Sequence, residues 1–174
     1  MYKRQPNATL NKLFSSGGML GMIWTILLII CAMIFGGIMD GIGALARITK
    51  ALLSVADSIF GLFASTVISC LGLNAIASDQ YLALVIPGKM FKKAYEDKDL
   101  APENLSRTLE DSGTVTSVLI PWNTCGAYQS QVLGVSVSDY FVYAIFNWLS
   151  PFMTLLFAAF NIKIRQLKET LLSK

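Results

Sequence analysis

Two short strings gather oxygen-bearing side chains inside otherwise apolar sequence. The first offers Ser69, Asn74, Ser78 and Asp79. The second offers Thr114, Thr116, Asn123 and Thr124, with Glu110 and Asp111 at its entrance. Hydroxyl, amide and carboxylate oxygens are hard ligands, suited to small hard cations such as sodium. The chain has no histidine. A proton carried near neutral pH must therefore ride on a carboxylate or lysine with a displaced pKa. A carboxylate kept from water has a raised pKa. It can hold a proton or help hold a cation, but not both, because a ligating group must be deprotonated. Asp79 follows 21 uncharged residues and is the first choice for that carboxylate.

Both strings carry backbone interruptions. Residues 58–90 are too long for one span: a straight helix of that length would reach about 50 Å, against a hydrocarbon core of about 30 Å. The stretch contains the polar run Cys70–Gln80, with Gly72, and closes at Pro87-Gly88. Two short helices with an unwound tip fit it better than one long helix. The result is a re-entrant hairpin or a span broken in the middle. Residues 112–138 are interrupted by Pro121-Trp122-Asn123-Thr124-Cys125-Gly126, and proline removes a backbone donor. Such breaks survive in a membrane only where they are buried in protein or line a watery cavity.

The surrounding composition demands a membrane. Hydrophobic residues make up 54% of the 174 and charged residues only 14%, against about 25% charged in a soluble domain. Four stretches, 13–39, 58–78, 112–138 and 140–162, contain no Asp, Glu, Lys or Arg, and each reaches the length a spanning helix needs. The expected organisation is an all-α integral membrane protein. A polar tail occupies 1–18, a first span 19–39, and an amphipathic helix 41–57. The hairpin follows at 58–90, a charged loop at 91–111, the broken helix at 112–138 and a last span at 140–162. A basic tail at 163–174 ends the chain. On a helical wheel Asp40, Arg47, Lys50 and Asp57 fall on one arc of the amphipathic segment. That places it on the membrane surface, with a crossing helix lining a cavity as the alternative. Counting Lys and Arg puts the charged loop and the C-terminus in the cytoplasm whether 58–90 turns back or crosses.

Structural readings stand beside the chemical ones. Ser69 and Thr116 could serve as hydrogen-bond glue between helices, as could the isolated Thr25. Asp79, with Ser78, could cap a helix at the membrane surface, and Asp111 could be a solvated cap. Gly36-Gly37 reads as a close-packing site, and Trp122 and Trp148 read equally as interfacial anchors or packing and as substrate stackers. Cys31, Cys70 and Cys125 lack metal-binding spacing and read as small buried hydrophobes. The basic excess, 14 to 11, is too mild to imply nucleic acid. The Glu110-Asp111 pair sits beside charged sequence, and no nucleophile–base pair or cofactor motif points to an enzyme.

The segments GGMLGMIWTILLIICAMIFGGIMDGIG, SCLGLNAIASDQYLALVIPGKMFKKAY and NLSRTLEDSGTVTSVLIPWNTCGAY resemble the C-terminal half of the NhaC-type sodium/proton antiporters. That family also includes malate/lactate exchangers coupled to sodium and protons. The resemblance covers nearly the whole chain after the N-terminal tail. It implies one of two inverted repeats, each with an arm helix, a re-entrant hairpin, a broken helix and a final span. It favours the hairpin for 58–90. Asn74, Ser78 and Asp79 would fall at the hairpin tip, and Pro121, Asn123 and Thr124 at the helix break, with Gly72 and Gly126 as further break residues. Family members are more than twice this length, and no second copy of the motifs occurs here. A truncated reading frame, a fragment or one of two subunits is expected.

The resemblance implies exchange of sodium for protons across a bacterial inner membrane by a multi-pass protein. Sodium and protons are the cargo, and no cofactor is expected. The partners are lipid and the missing repeat or a second subunit, with a homodimer as a further assembly. Exchange of an organic acid or amino acid is the rival within transport; the membrane runs hold no cation to pair with an anion. A non-transporting fragment or scaffold subunit is the rival of another class.

Overall fold

A computed structural model of the chain describes residues 20, 23–54 and 56–167. The regular elements among these residues are all helices, with no strand beyond an isolated antiparallel bridge between Leu100 and Gln166. Helix α1 covers Ile23–Gly41; the first residues of the expected span lie outside the described residues. Its side chains are exposed along most of its length, including Trp24, Leu27, Ile30, Met33 and Ile34. Gly36 is its buried point, packed so that a Cβ there would lie 2.9 Å from the Ala77 carbonyl oxygen. Gly37 has open space, so only the first glycine of the pair serves close packing.

Helix α2, Ala44–Leu53, is the amphipathic element, shorter than expected because Gly43, at φ 69°, turns the chain before it. Arg47 and Lys50 are exposed and Thr49 is fully buried. Helix α3, Ile59–Ile76, starts under the Ser58 hydroxyl, which accepts from the Gly61 amide at 2.9 Å. Among the described residues it is the one helix long and apolar enough to cross a membrane by length and composition. Helix α4, Gln80–Glu96, follows after three residues and keeps its helical path through the buried Pro87. The two helices run antiparallel. Near the start of α3, Phe63 meets Tyr95 of α4 with ring centroids 5.3 Å apart, while near the connection Leu73 and Ala77 pack with Ala83.

The charged stretch 91–111 is not the irregular loop expected. Helix α4 carries on to Glu96, and α5, Pro102–Leu109, begins with proline in its first turn, where a missing amide costs nothing. Phe91, Tyr95, Leu100 and Leu105 face a core with Leu62 and Phe63. The charges simply occupy the outer faces, with Lys92 and Glu96 spaced one helical turn apart, 4.0 Å between their charged atoms. Helix α5 runs into a π-helical turn, Glu110–Thr114, and then a short 3-10 turn, Ser117–Leu119. Helix α6, Thr124–Leu133, resumes after Pro121 and ends at Gly134, φ 68°. The short α7, Val137–Phe141, starts with a capping box of Ser136 and Asp139. Helix α8, Ile145–Ala159, contains a buried Pro151 and starts later than the span read from the sequence, because the backbone leaves helical geometry at Ala144. The described part of the basic tail folds back on α5: Asn104 Nδ2 donates to the Arg165 carbonyl at 2.7 Å.

Candidate functional site

The connection between α3 and α4 turns at Ser78, whose φ of 57° lies in the left-handed region. Few non-glycine residues adopt it, and such strain tends to collect at functional sites. Here it lets the chain reverse in three residues, Ala77 to Asp79. The Ser78 carbonyl then accepts the Thr124 amide at 3.1 Å, so the tip of one interruption touches the start of the helix beyond the other.

Two asparagines form the centre of this crossing. Asn74 and Asn123 are both fully buried. Asn123 Nδ2 donates to the Asn74 backbone carbonyl at 3.2 Å and lies 3.3 Å from its side-chain oxygen. Its own oxygen accepts the Cys125 amide at 3.1 Å and thereby caps α6. Asn74 Nδ2 donates to the Gly113 carbonyl at 2.6 Å and reaches the Thr116 hydroxyl at 3.2 Å. Trp122 Nε1 donates to the Ala75 carbonyl at 2.8 Å. This gives Trp122 a hydrogen-bond role at the crossing, although its ring is half exposed. Gln80 adds a third tie, its side-chain oxygen accepting from Ser117 Oγ at 3.0 Å and Cys125 Sγ at 2.9 Å.

The break itself depends on Gly126. A Cβ there would lie 2.1 Å from the Ile120 carbonyl oxygen and 2.9 Å from its carbon, so the strand of chain before Pro121 passes directly against α6. Gly72 behaves differently. It lies inside α3 with nothing within 4 Å of its would-be Cβ, and the interruption falls later, at residues 77–79. A single glycine is tolerated within a helix at a cost of about 1 kcal/mol, and neighbouring apolar residues carry α3 through it.

The remaining candidates divide. Asp79 caps α4, and both cap bonds use Oδ1, from the Tyr81 amide at 2.7 Å and the Leu82 amide at 3.2 Å. The capping reading of Asp79 is thus realised, at a tip that meets the break rather than away from it. Thr116 belongs to the asparagine crossing. The hydroxyls of Ser69 and Thr114 are buried without a partner among the described residues, an arrangement that native proteins rarely leave unexplained. Asp111 stands apart from the crossing and faces α8. It accepts from Thr154 Oγ1 at 2.6 Å and Ser150 Oγ at 3.3 Å, with Arg107 Nε at 3.7 Å. Arg107 also lies over the Phe157 ring, 5.4 Å from its centroid.

Sequence reasoning missed a buried polar seam leading to the crossing. Along α3, Thr66, Cys70 and Asn74 are each fully buried. They face Thr108, Ser112 and Thr116, which are buried likewise. Thr66 Oγ1 lies 3.3 Å from the Tyr95 hydroxyl, which also hydrogen-bonds Thr108. Cys70 pairs with Ser112, and Asn74 with Thr116. Both rows repeat every four residues, the spacing of one helix face, and that recurrence was the available signal. Gln80, Ser117, Tyr140 and Asn147 were missed as well. No group of histidine, cysteine and acidic side chains with metal-holding geometry occurs among the described residues.

The relatives that the chain resembles are antiporters. The Na(+)/H(+) antiporter NhaC of Alkalihalophilus pseudofirmus is 39% identical over 158 residues, covering 91% of this chain and 34% of the relative. The arginine/ornithine antiporter ArcD of Halobacterium salinarum is 38% identical over 146 residues, 84% of this chain and 30% of the relative. The malate-2H(+)/Na(+)-lactate antiporter of Bacillus subtilis is 33% identical over 141 residues, 81% and 30% respectively. The chain spans about a third of the length of the curated relatives it matches. The family model for the Na+/H+ antiporter family matches residues 3–162, and the chain belongs to that family. No solved structure matches it.

Proposed function

We propose that the chain carries an ion-binding portion of a sodium/proton antiporter in a bacterial inner membrane, with α3 and α4 entering and leaving on one side as a re-entrant hairpin. The reading rests on one observation: Asn74 near the tip of the helix pair is hydrogen-bonded to Asn123 at the helix break, with both side chains fully buried. Broken helices expose backbone carbonyls and half-helix ends that coordinate cations near the bilayer midplane. Asp79 supplies the charge beside this crossing, and its Oδ2 takes no part in the cap. The unpartnered hydroxyls of Ser69 and Thr114 are further hard donors. Sodium entering the site would displace the proton from Asp79, and a protein that reorients only when occupied would exchange the two.

A second reading has its own support. The N-termini of α4 and α6 converge at Ser78 and Thr124, and helix N-termini favour anions. A substrate carboxylate would be favoured there by the two helix dipoles, without the basic side chain the spans lack. The names of the malate/lactate and arginine/ornithine relatives fit this organic exchange.

The test has two arms. In nanodiscs, sodium should raise the unfolding temperature of the chain above its value in equimolar potassium, as ligand binding to the folded state requires. In everted vesicles, a chimera with this chain in place of the aligned third of the Alkalihalophilus antiporter should show sodium-dependent proton flux, lost in Asp79→Asn. Absence of any sodium effect in both arms overturns the proposal. Flux that responds to malate or an amino acid but not to sodium alone selects the second reading.

A further inference from the structure

The interruption before α6 takes the Val115 and Val118 carbonyls away from their helical partners. In a continued helix the Leu119 amide would serve the Val115 carbonyl. That amide instead bonds the Thr116 carbonyl at 3.0 Å, within the 3-10 turn. Ile120 continues the turn with its amide on the Ser117 carbonyl at 3.4 Å; the step after it would bring the amide of residue 121 to the Val118 carbonyl, but residue 121 is proline and has no N–H. Both carbonyls are met from elsewhere. Asn147 Nδ2, on α8, donates to the Val115 carbonyl at 2.7 Å. The Tyr140 hydroxyl, on α7, donates to the Val118 carbonyl at 2.6 Å. Both side chains are only partly buried. They approach from the side of α7 and α8, while Asn74 reaches the same segment through Gly113 and Thr116 from α3.

We infer that Tyr140 and Asn147 are positioning residues for ion selectivity: they replace the two backbone donors lost at the break and so fix the path of residues 115–123. The inference rests on the proposed cation site at the Asn74–Asn123 crossing. An unsatisfied carbonyl in hydrocarbon is costly, so removing either donor forces the segment to find another partner. The most direct remedy is a rewound turn or a shifted one, and either changes where Asn123 sits, because its amide is bonded to the Ile120 carbonyl at 3.1 Å. Among the described residues neither side chain hydrogen-bonds Asn74 or Asn123, so the effect on the crossing travels through the backbone of residues 115–123. Coordination by fixed oxygens discriminates between cations by cavity size and ligand placement. A displaced Asn123 should therefore alter selectivity before it alters the maximal rate.

The experiment uses Tyr140→Phe, which deletes one oxygen, and Asn147→Leu, which keeps the volume and removes the donor. Tyr143→Phe serves as control, since Tyr143 is 84% exposed. In the chimera, each variant should weaken half-saturating sodium about tenfold, equivalent to about 1.4 kcal/mol. The lithium-to-sodium preference should change, with the maximal rate within about twofold of the parent. Asn147→Gln, which retains the donor, should recover part of the sodium affinity. Unchanged sodium affinity with unchanged cation preference overturns the inference, as does a fall in maximal rate alone. Amide hydrogen exchange on the chain in nanodiscs supplies the second arm. Exchange across residues 116–123 should rise in Tyr140→Phe and Asn147→Leu and not in Tyr143→Phe. If the parent shows no sodium response, the cation reading fails while this arm still decides the positioning. Unchanged exchange there overturns the positioning itself.

Discussion

Replacing Gly126 by alanine should break the site while leaving most of the fold in place. The added Cβ would stand 2.1 Å from the Ile120 carbonyl oxygen, 2.9 Å from the Ile120 carbon and 3.3 Å from the Val118 oxygen. A comfortable carbon–oxygen approach is about 3.3 Å, so the chain at Ile120 must move by about 1 Å. Each of the crowding atoms is backbone, and none can step aside by changing rotamer. Forcing one methyl group into a packed interior costs about 1–3 kcal/mol, and a clash with backbone belongs at the upper end. The displaced Ile120 carries Asn123 with it through their 3.1 Å hydrogen bond, which pulls Asn123 Nδ2 away from Asn74.

Gly72→Ala is the matched comparison, because nothing lies within 4 Å of that position. Alanine there should stabilise α3 by about 1 kcal/mol through helix propensity. Thermal unfolding in nanodiscs, read with and without sodium, separates the two. Gly126→Ala should lower the transition and abolish the sodium-dependent increment. Gly72→Ala should keep the increment and leave the transition equal or higher. A Gly126→Ala protein with parental stability and a full sodium increment would refute the claim that the break depends on this close approach.

Other expectations follow from the same contacts. Asp79→Asn should barely change stability, since asparagine caps a helix as well as aspartate; sodium-coupled proton movement should vanish, and a loss of stability above about 1 kcal/mol would show that the charge itself holds the tip. Asn123→Ser keeps a capping oxygen for α6 but loses both contacts to Asn74, so half-saturating sodium should rise with about 1–2 kcal/mol of lost stability, measured by unfolding and flux together. Asp111→Asn and Thr154→Val should each destabilise the chain by about 1 kcal/mol and leave the sodium dependence unaltered, because Asp111 binds α8 rather than the crossing; a changed sodium titration in both would return Asp111 to the ion site.

Charge-free runs and helix-breaking residues carried much of this arrangement in one dimension. The order of α1, the amphipathic α2, the α3–α4 pair, the break at Pro121 and α8 follows from them. Asn74, Thr116, Asn123 and Thr124 were also legible, because amides and hydroxyls are conspicuous in apolar sequence. Three things were not. Residues 91–111 read as a loop by charge density alone, which ignores period; Phe91, Tyr95, Leu105 and Leu109 supply an apolar face beneath the charges. Glycine is one signal of a break and points to Gly72, whereas the turn is made at Ser78, whose side chain gives no warning of a left-handed φ. Tyr140 and Asn147 could not be assigned at all, since their partners are backbone carbonyls more than 20 residues away.

Asp79 shows why a structural role and a chemical one need not compete. A capping carboxylate must sit at the first turn of a helix, facing its amides, and at this tip that same position lies beside the start of α6. The cap consumes Oδ1 and fixes the orientation of the group, so Oδ2 is presented at a defined angle. On the proposed reading the cap and the exchange share one side chain, so asparagine at that position should be tolerated in stability but not in flux.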